Sequence, residues 1–109
     1  MDDKVLKGLY QVILDRRANP QEGSYTCYLF EKGLDKILKK VGEECSETII
    51  AAKNGVQGDT VGEISDLMYH LLVMMAQQNI PLDAVLEELE RRSAKIGNLK
   101  QMHQTDRES

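Results

Sequence analysis

Two short acidic runs, Glu43-Glu44-Cys45-Ser46-Glu47 and Glu63-Ile64-Ser65-Asp66, have the residue types and spacing suited to chemistry. On a helix, Glu44 and Glu47 stand three residues apart on one face, as do Glu63 and Asp66. At about 100° per residue, setting Glu44 at zero places Glu47 near ~300° and Glu43 near ~260°, with Leu34, Val41, Cys45 and Ala52 centred near ~80°. Setting Glu63 at zero places Asp66 near ~300° and His70 near ~340°, with Ile64, Leu67, Leu71 and Met75 centred near ~85°. Both helices thus carry acids on a flank of an apolar stripe, and antiparallel packing across the stripes would gather four or five carboxylates at the rim.

Such a gathering has to be neutralised. Carboxylates about 6 Å apart repel by roughly 0.7 kcal/mol per pair at the dielectric of water and roughly 3 kcal/mol at an effective value near 20. A half-buried group therefore takes up protons or binds a cation. Hard oxygen ligands suit Mg²⁺ or Mn²⁺, and Mg²⁺ commonly shares its coordination with substrate phosphates. The plainer alternative is a solvated acidic helix face.

The elements that must position these acids can be read along the chain. Residues 3 to 17 place Val5, Leu6, Leu9, Val12 and Ile13 at helical spacing, and Asn19-Pro20 ends that helix. A short apolar segment, Cys27 to Phe30, predicts one or two helical turns stopped at Gly33, with Ser24 or Thr26 as N-cap or as a hydroxyl pair reaching a phosphate or ribose. Leu34 to Lys53 reads as a long helix with Asn54-Gly55 as its C-cap. Lys36, Lys39 and Lys40 precede the first acidic run, and Lys40, one turn before Glu44, is placed to pair with it or to hold a phosphate. After a short break at Gly55 to Asp59, Thr60 to Glu63 reads as a capping box opening a helix from Val61 to Gln78, a role that competes with metal ligation by Glu63. The second half of that helix, Leu67 to Met75, is apolar nearly all round and predicts burial against a partner chain, with Tyr69 at an interface and His70 as a hydrogen-bonded core histidine or a ligand. Leu82, Val85, Leu86 and Leu89 form a further amphipathic helix, with Glu87, Glu88, Glu90, Arg91 and Arg92 outside. Residues 1 to 97 form one domain, and residues 98 to 109 form a polar tail.

Composition sets the frame. The chain has 109 residues, 41% hydrophobic and 29% charged, enough for one small all-α domain. Aromatic residues make up 5% and there is no Trp, so the core is aliphatic and Met-rich. The net charge of -4 argues against a nucleic-acid surface. No apolar run approaches the length of a membrane span and the first residues do not resemble a signal peptide, so a cytoplasmic location with free thiols at Cys27 and Cys45 is expected. No Cys and His share a local arrangement suited to thiol catalysis or zinc binding.

The run Lys40-Val41-Gly42-Glu43-Glu44 followed by Glu47, then Glu63, Asp66 and the string from Leu67 to Val73, resembles the phosphoribosyl-ATP pyrophosphohydrolase family of histidine biosynthesis, and Ser24-Tyr25-Thr26 resembles its N-terminal signature. The wider acidic pattern is similar to that of the all-α nucleoside triphosphate pyrophosphohydrolases of the MazG-like superfamily. The likeness spans about residues 3 to 95. Some members are fused to a cyclohydrolase domain, for which 109 residues leave no room.

The resemblance implies Mg²⁺-dependent hydrolysis of phosphoribosyl-ATP to phosphoribosyl-AMP and pyrophosphate in an antiparallel helical bundle completed by homodimerisation. It assigns metal binding to Glu44, Glu47, Glu63 and Asp66, with Glu43 beside them. Glu43 or Glu47 is the general base, a choice the sequence leaves open. Lys40 lies inside the matched string, and Lys36 and Lys53 join it as substrate contacts by position and charge; Ser24 and Thr26 are further candidates. Two other readings stand beside this one: a less selective nucleotide pyrophosphatase with the same site, and a non-catalytic dimerisation module with solvated acids. A di-iron bundle would need Glu and His three residues apart, whereas His70 is four from Asp66 and seven from Glu63.

Overall fold

The computed structural model describes residues 3–94, so the polar tail expected at 98 to 109 lies outside the described residues. Those residues form five helices and no strand: α1 (Lys4–Ala18), α2 (Tyr25–Lys32), α3 (Leu34–Asn54), α4 (Gln57–Gln77) and α5 (Leu82–Ser93). The all-helical class follows directly from the periodicity.

The punctuation comes from a few residues. Ser24 has extended backbone geometry and its Oγ accepts a hydrogen bond from the Cys27 N–H at 3.2 Å, so Ser24 is the N-cap of α2. That helix starts two residues earlier than the apolar segment predicts and runs to Lys32. Gly33, at φ 92°, separates α2 from α3. Gly55, at φ 78°, caps α3 in the left-handed region and donates its N–H to the Ala51 carbonyl at 3.2 Å. Only Gly55 and Val56 then separate α3 from α4.

The capping box is not formed. The helix α4 begins at Gln57, behind Val56 as N-cap, and Thr60 already lies inside it, donating its hydroxyl to the Val56 carbonyl at 3.3 Å. The polar, exposed residues from Gln57 to Asp59 carry no apolar period to announce this first turn. One consequence matters for the site: the Glu63 carboxylate has no capping duty.

The core joins Ile13 of α1, Leu29 of α2, Ile37 of α3 and Val73 and Ala76 of α4, with Tyr10, Leu72, Met75 and Leu82 around them. Each fully buried aliphatic side chain contributes about 1.5–3 kcal/mol by leaving water. Polar ties close the ends. The Tyr10 hydroxyl donates to the Ile80 carbonyl at 2.6 Å, and Arg17 donates to Ala76 O and, at 2.9 Å, to Asn79 Oδ1.

Burial bears on two expectations about which faces are covered, and corrects the one for α3. On α3 the buried positions are Ile37, Glu44 and Ala51, so Glu44 lies on the packed stripe itself rather than on its flank, while Ala52 of the expected stripe is exposed. In the apolar second half of α4, His70, Leu72, Val73 and Met75 are buried against the chain's own helices, whereas Leu67, Tyr69, Leu71 and Met74 are half-buried and Met68 is exposed. Of the large apolar side chains left exposed, Ile49, Ile50, Val56, Val61, Ile64 and Met68 lie on the α3–α4 pair toward its turn, while Val5 and Val12 of α1, Tyr25 and Tyr28 of α2, Leu38 of α3, and Ile80, Val85 and Leu89 are exposed elsewhere.

Candidate metal centre

The short α3–α4 connection sets the two acidic runs against each other. One carboxylate oxygen from each of Glu44, Glu63 and Asp66 falls within 4.8 Å of the others. Glu44 is 6% exposed, Glu63 is half-buried and Asp66 is exposed, so the group opens from the helix interface toward solvent. Glu47 is exposed and reaches Glu63 rather than joining the tight triad. Beyond the acids, a cleft along the helix pair is lined by Glu47, Ile50, Ala51, Asn54, Asp59, Glu63 and Asp66 together with Gly58 and Gly62.

Burial, together with the nearby Glu47 and Glu44 carboxylates, pushes the Glu63 carboxyl up to about 7. Contacts between carboxyl groups at this range require a shared proton or a cation between them. Glu44 Oε2 and Glu63 Oε2 are both buried and accept no hydrogen bond from any described group. Unmet buried acceptors of this kind are costly. An all-oxygen donor set converging from two rigid helices is what a hard divalent cation requires, so these residues fit Mg²⁺ or Mn²⁺.

Around the acids sits a second layer of polar groups. Lys40 Nζ lies 3.1 Å from Glu43 Oε2 and 3.7 Å from Glu44 Oε1, realising the pairing expected from its helical position. Its hydrogen bond holds the Glu43 carboxyl below the usual carboxylate range. His70 is buried at 5% exposure and bonded at both nitrogens, so the histidine expected in the core is there. Its Nδ1 donates to the Asp66 carbonyl at 2.7 Å, and the Tyr25 hydroxyl lies 3.0 Å from its Nε2. The neighbouring residues repeat the link, with the Thr26 and Tyr69 hydroxyls hydrogen-bonded to each other.

The other sequence candidates belong neither to the acid triad nor to the cleft lining, although the charge of Lys36 acts on the Glu43 carboxyl. Lys36 is half-buried on α3, one turn before Lys40, and Lys53 is exposed in the last turn and does not line the cleft. Ser24 and Thr26 sit at the start of α2, where one caps the helix and the other bonds Tyr69. Two contributors were not legible beforehand. Asp59 lies in the unannounced first turn of α4, and the link from Tyr25 to His70 joins residues 45 positions apart, which no local spacing signals.

Comparison with known proteins places the chain in a family. Residues 6–93 match the family model described as phosphoribosyl-ATP pyrophosphohydrolase. A protein named phosphoribosyl-ATP pyrophosphatase from Clostridium botulinum is 54% identical over 103 residues, covering 94% of each chain. One of the same name from Listeria welshimeri is 54% identical over 102 residues, covering 94% of this chain and 98% of the relative. A stretch of 85 residues is 62% identical to a histidine biosynthesis bifunctional protein, HisIE, of Thermoanaerobacter pseudethanolicus, covering 78% of this chain and 39% of that longer protein. On this extent of similarity, with the acids in place on α3 and α4, the chain belongs to the phosphoribosyl-ATP pyrophosphohydrolase family.

Proposed function

We propose that this chain hydrolyses phosphoribosyl-ATP to phosphoribosyl-AMP and pyrophosphate, the second step of histidine biosynthesis, by Mg²⁺-dependent attack of water at the α/β phosphoanhydride. The observation that carries the reading is the pair of buried, donor-less oxygens, Glu44 Oε2 and Glu63 Oε2, converging with Asp66 from two helices. Glu44, Glu63 and Asp66 would hold the ion, with Glu47 completing the set. Bound there, Mg²⁺ or Mn²⁺ would neutralise phosphate oxygens and acidify a water.

The chain's own groups divide the remaining work. Glu47 is the better general base of the two candidates: it is exposed beside Glu63, whereas the Glu43 carboxylate is held by Lys40 and is a weaker base for it. Lys40, Lys36 and Lys53 offer positive charge to the leaving pyrophosphate. The Ser24 hydroxyl accepts from the Cys27 N–H and still has its own proton to donate, so it and Thr26 stand as contacts for the phosphoribosyl end.

The exposed apolar side chains near the α3–α4 turn, with Ile49 at 69% and Ile64 at 42% exposure, support a homodimer in which a second copy completes an antiparallel bundle. No helix among the described residues is long and apolar enough to cross a membrane, in keeping with the cytoplasmic setting proposed for the enzyme. The test compares pyrophosphate release from phosphoribosyl-ATP with release from deoxynucleoside triphosphates under the same Mg²⁺. A strong preference for phosphoribosyl-ATP is expected; equal rates would reassign the chain as a less selective nucleotide pyrophosphatase, and no release from either would leave a non-catalytic module.

A further inference from the structure

Asp66 is the most exposed of the three clustered acids, yet the turn of α4 that carries it is held from behind. The His70 Nδ1 lies 2.7 Å from the Asp66 carbonyl oxygen. A carbonyl can only accept, so Nδ1 carries a proton, and a neutral ring then presents Nε2 as an acceptor. The Tyr25 hydroxyl, 3.0 Å from Nε2, is therefore the donor. The polarity of the chain runs from the Tyr25 O–H through the imidazole to the backbone of Asp66.

Tyr25 is suited to that role by its position. Ser24 caps α2 one residue before it, which fixes where the ring emerges. Its ring meets His70 edge-on, with centroids 5.8 Å apart, and stacks on Tyr69 at 6.2 Å. The adjacent Thr26–Tyr69 bond gives a second tie between the same two turns. Desolvation raises the Tyr25 hydroxyl pKa, against the opposing pull of Lys40, so the hydroxyl keeps its proton; the charges of Glu44 and Glu43 act in the same direction as burial. Tyr25 thus lies where α2, the Lys40–Glu44 turn of α3 and the Asp66–His70 turn of α4 meet.

We infer that Tyr25 and His70 are positioning residues: together they lock the Asp66 turn of α4 in register with Glu44 and Glu63, and so set how tightly the three carboxylates hold a divalent cation. The inference rests on the metal-binding reading of the preceding section. Outer partners of metal ligands commonly govern affinity by 10–100-fold. Because this pair acts through the backbone of a ligand rather than on its carboxylate, an effect of about 10-fold is expected, at the lower end of that range.

The test measures Mn²⁺ binding to the full chain by the loss of the free-ion paramagnetic resonance signal, beside circular dichroism melts. The proteins are wild type, Tyr25→Phe, His70→Asn, the double variant, and Tyr28→Phe as a neighbouring control. Tyr25→Phe removes only the hydroxyl, and His70→Asn keeps a donor near the Asp66 carbonyl while losing Tyr25. Each single variant should bind Mn²⁺ about 10-fold more weakly while folded at the assay temperature, and the double variant should be no weaker than either single one. Saturating Mn²⁺ should restore turnover of Tyr25→Phe, and melts in EDTA should show the variant already folded at the assay temperature without the ion, which separates weaker binding from lowered stability. Wild-type affinity in Tyr25→Phe, or losses that add in the double variant, would overturn the inference. Failure of wild type to bind Mn²⁺ would overturn the metal reading and the inference with it.

Discussion

Replacing Glu44 by Gln should stabilise the metal-free protein, although it alters a buried residue of the candidate site. One oxygen each from Glu44, Glu63 and Asp66 lies within 4.8 Å of the others. Two full carboxylate charges at that spacing repel by roughly 0.9 kcal/mol at the dielectric of water and roughly 3.5 kcal/mol at an effective value near 20. The Gln side chain removes the charge at the most buried corner and supplies an N–H that can donate to the orphaned Glu63 Oε2. What it loses is the 3.7 Å approach to Lys40, and Lys40 keeps its closer partner Glu43 at 3.1 Å. If about 1 kcal/mol of relief survives relaxation, Tm rises by about 4–8 °C for a domain of this size.

The assay is a pair of thermal melts at about pH 8, above the range in which Glu63 carries its proton, one in excess EDTA and one in millimolar Mg²⁺. In EDTA the variant should melt higher than wild type. In Mg²⁺ the order should narrow or reverse, since an ion at 100 times its dissociation constant stabilises wild type by about 2.7 kcal/mol and the variant by far less. A variant that melts lower in EDTA would refute the reasoning: Glu44 would then be a structural partner of Lys40 rather than one corner of a repelling cluster. Equal gains in Mg²⁺ for both proteins would refute it as well.

Three further outcomes are expected. The Glu63 carboxyl binds its proton more tightly folded than unfolded, so its stabilising contribution is full below about 4.5 and is lost as pH rises through about 7; in EDTA the melting temperature should fall across that window, and Glu63→Gln should flatten the fall. Glu47→Gln should lower pyrophosphate release by about 10²–10⁴-fold, the usual worth of a general base, and Glu43→Gln by much less; the reverse order in steady-state kinetics would move the base to Glu43. Ile64→Asp, placed among the exposed apolar side chains near the α3–α4 turn, should convert a sedimenting dimer to a monomer, and an unchanged dimer would locate the interface elsewhere.

Much of this was legible because helical period and turn residues are local. Gly33 and Gly55 mark the stops that the structure places at φ 92° and 78°, and the acids at three-residue spacing fall on two adjacent helices as expected. The choice of buried face was not legible. Leu34, Val41, Cys45 and Ala52 make a respectable apolar stripe, but close packing of α3 on α4 is decided by tertiary fit, and it selected Ile37, Glu44 and Ala51 instead. A stripe summed from hydrophobicity cannot anticipate a buried glutamate. The same limit hid the first turn of α4: Gln57 to Thr60 carry no apolar period, so Thr60 and Glu63 read as a cap when they already lie inside the helix. Nor does local spacing relate Tyr25 to His70, which only the docking of α2 brings together.

The central claim is that carboxylates from α3 and α4 jointly hold a divalent ion on which turnover depends. Pyrophosphate release from phosphoribosyl-ATP, titrated with Mg²⁺ after removal of metal and run beside Asp66→Asn, tests it most directly. The account predicts no turnover in chelator, saturable recovery with Mg²⁺, and a curve for Asp66→Asn displaced to higher Mg²⁺ or abolished. Full turnover in excess chelator, or an Asp66→Asn curve that overlays wild type, would contradict it.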